Sequence, residues 1–349
     1  MHPTRTQLGH TGISVPRIIY GTSYLGNLYR ELSISEKKEL MKGWFRCTGN
    51  PVVIDSAGKY GAGLALEVIG KGLEELEKEP GEIIISNKLG WYRVPLRGAE
   101  PTFEKGAWVN LAYDCELRFG YEGIIQCYEQ GIRLLGGKFN SELVSVHDPD
   151  EYLHAAKSPA DREERLSEIM DSYRALFDLK KEGRVKGIGI GCKEWTVIRE
   201  LYERVPFDWV MMANSYTLLK HPPELLDFMD RLMKDGVGII NSAVFHGGFL
   251  TGGDKFDYRD VDPDSVEGNF LYSWRDRLYE TCREHAVDPA EAAIQFGLSH
   301  PAIAAIALNT SRPEKMKRNV EILEKEIPAS FWIALKDKGL ITSPVIKEQ

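Results

Sequence analysis

The sequence predicts an α/β fold, a (β/α)8 barrel, from three observations. Short β-branched runs alternate with longer helical patterns along the chain. There are eight such runs of four to seven residues, the length of strands covered on both faces. No Gly-x-Gly-x-x-Gly follows the first run, where Gly21-Thr-Ser stands instead, so an open dinucleotide-binding sheet is disfavoured.

The runs are Arg17–Tyr20, Val52–Asp55, Ile83–Asn87, Leu143–Val146, Val185–Gly191, Trp209–Ala213, Val237–Asn241 and Ala304–Leu308. Helical patterns follow them in order: Glu36–Phe45, Leu64–Lys78, Tyr121–Leu135, Glu163–Lys181, Trp195–Glu203, Glu224–Lys234, Leu271–Glu284 and Glu314–Glu326. In the fourth, Leu166, Ile169, Met170, Tyr173, Leu176 and Phe177 recur at three- and four-residue spacing as one apolar stripe, and Gly183 ends it. Serial β-then-α units imply parallel strands joined by right-handed crossovers. Closing eight of them removes both sheet edges and gives a TIM barrel. With no linker or low-complexity stretch, residues 1–349 read as a single domain. Two loops are long. Gly90–Gly120, after the third strand, carries Trp91, Tyr92, Phe103, Trp108 and Tyr113, which predict an ordered lid or interface; His246–Asn269 follows the seventh.

Composition excludes several classes. Hydrophobic residues make up 43% and charged residues 28%, ordinary globular values. A net charge of −8 disfavours a nucleic-acid partner, which needs a dense cationic face. Five widely spaced cysteines with no C-x-x-C pair fit a reducing compartment rather than a disulfide or zinc framework. No secretory h-region and no membrane-length apolar stretch is visible, so the expected location is the cytoplasm, with no membrane partner.

In such a barrel the reacting groups sit at the carboxyl ends of strands. Asp55 closes the second run, Lys88 follows the third and His147 the fourth, while Tyr60 lies five residues beyond Asp55. A phenol's reference pKa near ~10 is too high for a base at neutral pH, and a nearby ammonium such as Lys88 would lower it. Asp55 can hold Lys88 by a charge-assisted hydrogen bond, and His147 can orient a substrate oxygen. Singly each has a plain structural reading: a helix cap for Asp55, core or surface for Tyr60, a solvated strand end for Lys88, a satisfied core imidazole for His147. Their joint placement on three successive strand ends favours a metal-free proton-transfer site.

The motifs Leu8-Gly-His-Thr-Gly-Ile-Ser-Val-Pro, Asp55-Ser-Ala-Gly-Lys-Tyr60-Gly, Asn87-Lys88, Val146-His147-Asp148, Gly183-Arg-Val-Lys-Gly-Ile-Gly and Ser311-Arg-Pro-Glu with Asn319 occur in that order. On them the chain resembles the aldo-keto reductases over almost its whole length. The resemblance implies the barrel, an NAD(P) cofactor, and Asp55, Tyr60, Lys88 and His147 as the catalytic tetrad. Within the family, Tyr216-Thr-Leu-Leu, Asn241, Phe245 with Gly248-Phe-Leu, and Ile327-Pro-Ala-Ser-Phe-Trp are most similar to the aldose 1-dehydrogenase branch, which oxidises L-fucose, D-threo-aldoses and L-galactose, with pyridoxal dehydrogenases nearby.

Ser311 with Glu314 reads as a capping box opening a helix whose free N–H groups and dipole favour phosphate, with Arg312, Lys315 and Arg318 adding positive charge. The resemblance implies cofactor contacts at Gly21, Thr22, Asp55, Asn214, Asn241, Ser242, Asn309, Ser311, Lys315, Arg318 and Asn319. Five positions depart from the family pattern: Gly191 and Cys192 replace Ser-Asn, Ala213 replaces Gln, Asn241 replaces an aromatic, and Arg318 replaces Glu. The cationic set leans the cofactor toward NADP over NAD. Trp91, Tyr92, Phe249 and Trp332 are candidates to pack on a sugar held between Tyr60 and His147. The expected reaction oxidises an aldose C1 hydroxyl to a lactone, with Tyr60 as general acid/base. The alternatives are an NADPH-dependent aldehyde, ketone or pyridoxal reductase on the same site, a non-catalytic binding protein like the potassium-channel β subunits, and a metal-dependent hydrolase. Too few strand-end histidines speak against the last, since His154, His221 and His246 fall in loops. The expected partners are a small molecule and, with no residue to specify it, a possible second copy of the chain.

Overall fold

A computed structural model describes residues 4–342. The eight runs become strands β1 (Ile18–Gly21), β2 (Val52–Ala57), β3 (Ile83–Leu89), β4 (Leu143–His147), β5 (Gly187–Cys192), β6 (Trp209–Ala213), β7 (Gly238–Ser242) and β8 (Ile303–Leu308). All pair in parallel with their sequence neighbours, and β8 pairs with β1, closing the barrel.

Helices α1 (Ile34–Thr48), α2 (Leu64–Glu75), α3 (Tyr121–Leu134), α5 (Pro159–Lys181), α6 (Trp195–Tyr202), α7 (Pro223–Lys234), α8 (Val266–Glu284) and α10 (Pro313–Glu321) match the helical patterns. Three more were not expected: α4 (Pro149–His154), α9 (Pro289–Gly297) and α11 (Ala329–Asp337). The signal for α9 is local, because Asp288 caps it and Glu291 completes a capping box around Pro289. His154 thus ends a short helix rather than lying in a loop. Among the described residues, no helix is long and apolar enough to cross a membrane.

Alternation along each strand sorts the core into two layers. Val52, Ile54, Ile188 and Ile190 face the helices, where the largest apolar clusters lie. Ile19, Val53, Ile84, Leu143, Trp209, Met211 and Ile240 fill the barrel itself. An N-terminal hairpin, Arg5–Gln7 against Ser14–Pro16, adds Leu8, Ile13 and Val15 to that inner cluster and seals the bottom. The fit is close: a Cβ on Gly9 would stand 1.9 Å from the Asp208 carbonyl oxygen.

Gly90–Gly120 is not a plain loop. Trp91–Pro95 pairs antiparallel with Tyr113–Leu117, and the connection folds back so that Trp108 bridges to Leu28. Leu28, Ala62, Phe103, Trp108 and Cys115 form a small core beside Tyr60, which orders the excursion over the carboxyl end of the barrel.

Candidate active site

Inward-facing Val53, Ile84 and Leu143 fix the phase of their strands. Counting by twos then places Asp55, Ser86, Lys88, Ser145 and His147 on the inner side. All are buried. Lys88 Nζ donates to one Asp55 oxygen, and Ser86 Oγ donates to the other at 3.1 Å. The same ammonium lies 4.8 Å from the centre of the Tyr60 ring. Tyr60 meets His147 edge-on, with ring centres 5.8 Å apart. The four predicted residues therefore converge, and Ser86, hidden inside an apolar run, joins them.

The charges do not act on Tyr60 as expected. Its pKa is raised well above the ordinary phenol value, first by burial and then by the negative charges of Asp55 and Asp148; Lys59 opposes the rise. The physical reason is that Lys88 is spent on Asp55, so the pair projects little net positive field. Burial likewise pushes His147 well below its usual value, against the pull of Asp148. At neutral pH the site holds a protonated phenol and a neutral imidazole.

A second charged group surrounds the first. Lys59 is 2% exposed, yet its ammonium meets Glu104 at 2.7 Å, Glu151 at 3.0 Å and Asp148 at 3.2 Å. Lys193 approaches Asp148 at 3.6 Å and pairs with Glu151. Asp150 accepts from the backbone N–H groups of Lys193 and Glu194, at 3.1 and 3.0 Å. The acidic run after His147 is thus committed to lysines and amides. Lys59 and Asp148 each adjoin a tetrad residue in sequence, the only signal that could have found them.

The wider set divides. Trp91 reaches the Tyr60 cluster, with Lys59 Nζ 5.1 Å from its ring centre. Tyr92, one residue on, faces the other way and stacks under Arg118 at 3.8 Å. Phe249 is fully buried among Phe256, Tyr272 and Arg275, and Trp332 packs on Phe331 in α11, so neither reaches the mouth. Tyr258, not singled out in the sequence, does. It sits at φ 70° on the turn between Lys255–Phe256 and Arg259–Asp260, and its carbonyl accepts from Tyr29 Oη at 3.2 Å. The residue is 44% exposed, yet the protein crowding its hydroxyl, and then the charge of Tyr60, raise its pKa.

Among the cofactor candidates, Gly21 pairs with Asp55 across the β1–β2 ladder. Thr22 Oγ1 donates to the Asp55 carbonyl at 2.9 Å, and Asn309 Nδ2 to Ser23 Oγ at 2.5 Å. Ser242 shares the inner side of β7 with Ile240. Asn241 faces the helices instead, its amide donating to the Tyr216 and Gly297 carbonyls, both at 2.9 Å. Asn214, at φ 55° beyond β6, keeps a buried amide oxygen with no partner among the described residues. The N-cap of α10 is Arg312, one residue past the expected Ser311, with Pro313 the first helical residue, and Thr310 Oγ1 accepts from the Arg312 N–H at 3.1 Å. Lys315 is exposed in the first turn and Asn319 half-buried in the last. Arg318 is tied to Asp288 at 2.7 Å. The orphan amide oxygen, the open helix N-terminus and its free cations suit a nicotinamide dinucleotide.

Comparison with known proteins places the chain in a family. Residues 17–339 match the Aldo/keto reductase family. This chain belongs to that family. An aldo/keto reductase works with NAD(P)(H), and the chain is an oxidoreductase of that kind. It is 31% identical to pyridoxal 4-dehydrogenase of Microbacterium luteolum, covering 96% of this chain and 97% of the other. It is 26% identical to D-threo-aldose 1-dehydrogenase of Pseudomonas sp, covering 99% and 100%, and 23% identical to L-galactose dehydrogenase of Arabidopsis thaliana, covering 97% and 94%. The fold matches a holo aldo-keto reductase of Bacillus halodurans with TM-score 0.69 at 21% identity, over 100% and 99% of the two chains.

Proposed function

We propose that this aldo/keto reductase oxidises the anomeric C1 hydroxyl of a cyclic aldose to a lactone. The reading rests on Tyr60 and His147, edge-on at 5.8 Å above the Lys88–Asp55 pair. A bound nicotinamide would supply the hydride acceptor for C1. The protein's part is to hold and move the hydroxyl proton: Tyr60, as phenolate, takes it, while His147 keeps the same oxygen in line. Tyr60's raised pKa makes oxidation an alkaline reaction. In reverse, the protonated phenol donates to a carbonyl oxygen. Trp91 and Tyr258 flank the sugar. Asn214, Ser242, Thr22 and Gly21 would hold the nicotinamide end, and Asn309, Ser311, Lys315 and Asn319 the adenosine end. Arg312 and Lys315 favour a 2′-phosphate and hence NADP.

A second reading takes pyridoxal as the substrate, favoured by the relative at 31% identity. Pyridoxal, like an aldose, closes on itself to a hemiacetal, so the same proton and hydride transfers give a lactone. The test is absorbance at 340 nm with NAD⁺ or NADP⁺ against L-fucose, L-galactose, D-arabinose, L-xylose and pyridoxal. Cofactor reduction by a sugar supports the first reading and by pyridoxal alone the second. Silence on all five, with NADPH oxidised by simple aldehydes, overturns both.

A further inference from the structure

Six residues around the mouth form a closed circuit. Tyr60 packs on Trp108, with ring centres 6.0 Å apart. Trp108 Nε1 donates to Glu104 Oε2 at 2.7 Å. The other Glu104 oxygen meets Lys59 Nζ at 2.7 Å. Lys59 reaches Asp148 at 3.2 Å, and the same Asp148 oxygen stands 3.6 Å from His147 Nε2. His147 returns to Tyr60 at 5.8 Å. Both carboxylate residues that meet Lys59 here lie in the left-handed region, Glu104 at φ 39° and Asp148 at φ 48°. Non-glycine residues are held in that region only where surrounding contacts over-determine it, and such strain clusters at working sites.

We propose that Lys59 is a positioning residue: it ties the hairpin excursion, through Glu104 and Trp108, to Asp148, and so holds Tyr60 and His147 facing one another with Asp148 neutralised beside the imidazole. This rests on the reading of Tyr60 and His147 as the proton-handling pair. Three features support it. Lys59 is the group beside Tyr60 that opposes the rise of its pKa. Burial would discharge Lys59, but Asp148, Glu104 and Glu151 outweigh it and keep the ammonium charged. The charges around His147 comprise Asp148 on one side and Lys88, Lys59 and Lys193 on the other, so losing Lys59 leaves Asp148 less compensated.

The test compares wild type, Lys59→Met and Lys59→Arg. His147 is followed by the carbon–proton correlation of its ring, assigned by loss of the signal in His147→Gln. In Lys59→Met its midpoint rises by about one unit, a ten-fold gain in proton affinity, and Lys59→Arg restores the wild-type value. This readout needs no substrate, so it stands apart from any failure of the proposed reaction. With a substrate in hand, kcat falls about ten-fold in Lys59→Met while the cofactor KM holds, and its alkaline limb moves up. A His147 midpoint and pH profile identical to wild type in Lys59→Met overturn the proposal. Should Lys59→Met not fold, Glu104→Gln decides. It leaves one acceptor oxygen where two were used, so the Lys59 and Trp108 contacts cannot both persist, and tryptic cleavage at Arg97 and Lys105 speeds up; resistance equal to wild type overturns the tie.

Discussion

The stem of Lys88 runs across the bare Cα of Gly191, so closely that a Cβ there would lie 2.7 Å from Lys88 Cδ. With its ammonium fixed on Asp55, the stem has little room to give. Gly191→Ala should therefore move Lys88 off line while the barrel stays folded. Small misplacements of reacting groups cost turnover on the order of 10²-fold. Initial rates with circular dichroism as the folding control check this; unchanged turnover in a folded Gly191→Ala protein would show that Lys88 adapts.

The Asp55–Lys88 pair is buried on both sides, with side chains 5% and 4% exposed. Removing one partner strands the other charge in the core, at a typical cost of about 3–5 kcal/mol. Lys88→Met should lose that much by urea unfolding. Asp55→Asn with Lys88→Met should recover part of it, because no lone charge remains. A double variant less stable than Lys88→Met would refute this account.

Much of this was legible in the sequence, and the limits have physical causes. Strand-end Asp55, Lys88 and His147 could be read because each stands at or just past the end of an apolar run, where a barrel keeps its reacting groups. Lys59 could not, because its partners Glu104 and Glu151 come from an excursion and a short helix whose positions no local pattern sets. Asn241 was misplaced by one step of alternation, since its backbone neighbour Ser242 takes the inner side. Phe249 and Trp332 were drawn to the mouth by residue type, whereas packing against Tyr272 and Phe331 keeps them in the core.

Tyr60→Phe removes one hydroxyl and keeps the ring that packs on Trp108 and His147. General acid–base catalysis contributes about 10²–10⁴-fold, so turnover should fall by that order with unfolding midpoints little changed. In wild type, oxidation should accelerate through the alkaline range, because the raised Tyr60 pKa keeps the phenol protonated at neutral pH. An oxidation rate flat from pH 7 to 10 would remove Tyr60 from the base role.

Stability should fall on the acid side of neutrality. His246 is buried between Asp257 and Thr217, each at 2.7 Å. His221 donates to the Thr217 carbonyl and accepts from the Thr342 N–H, both at 2.9 Å, which only the neutral ring can do. Burial lowers both pKa values. The unfolded chain therefore binds more protons, and stability present above about pH 6.5 is lost as pH drops from there toward the folded-state values. Denaturation midpoints at pH 8 and 5 test this. A protein equally stable at both would mean that these rings protonate in place.

The cations at α10 should not contribute equally to cofactor choice. Arg318 is already bound to Asp288, at 2.7 Å, and a 2′-phosphate would have to compete with that carboxylate. Lys315 and Arg312 are exposed at the helix start, where the free N–H groups add to their charge. A hydrogen bond to a charged group is worth about 1.5–3 kcal/mol, so Lys315→Met or Arg312→Met should raise KM for NADP roughly ten-fold or more and leave that for NAD nearly unchanged. Arg318→Met should move neither by as much. If it weakens NADP as strongly as Lys315→Met, the Asp288 pair opens on binding, and the phosphate lies further along the helix, toward its last turn.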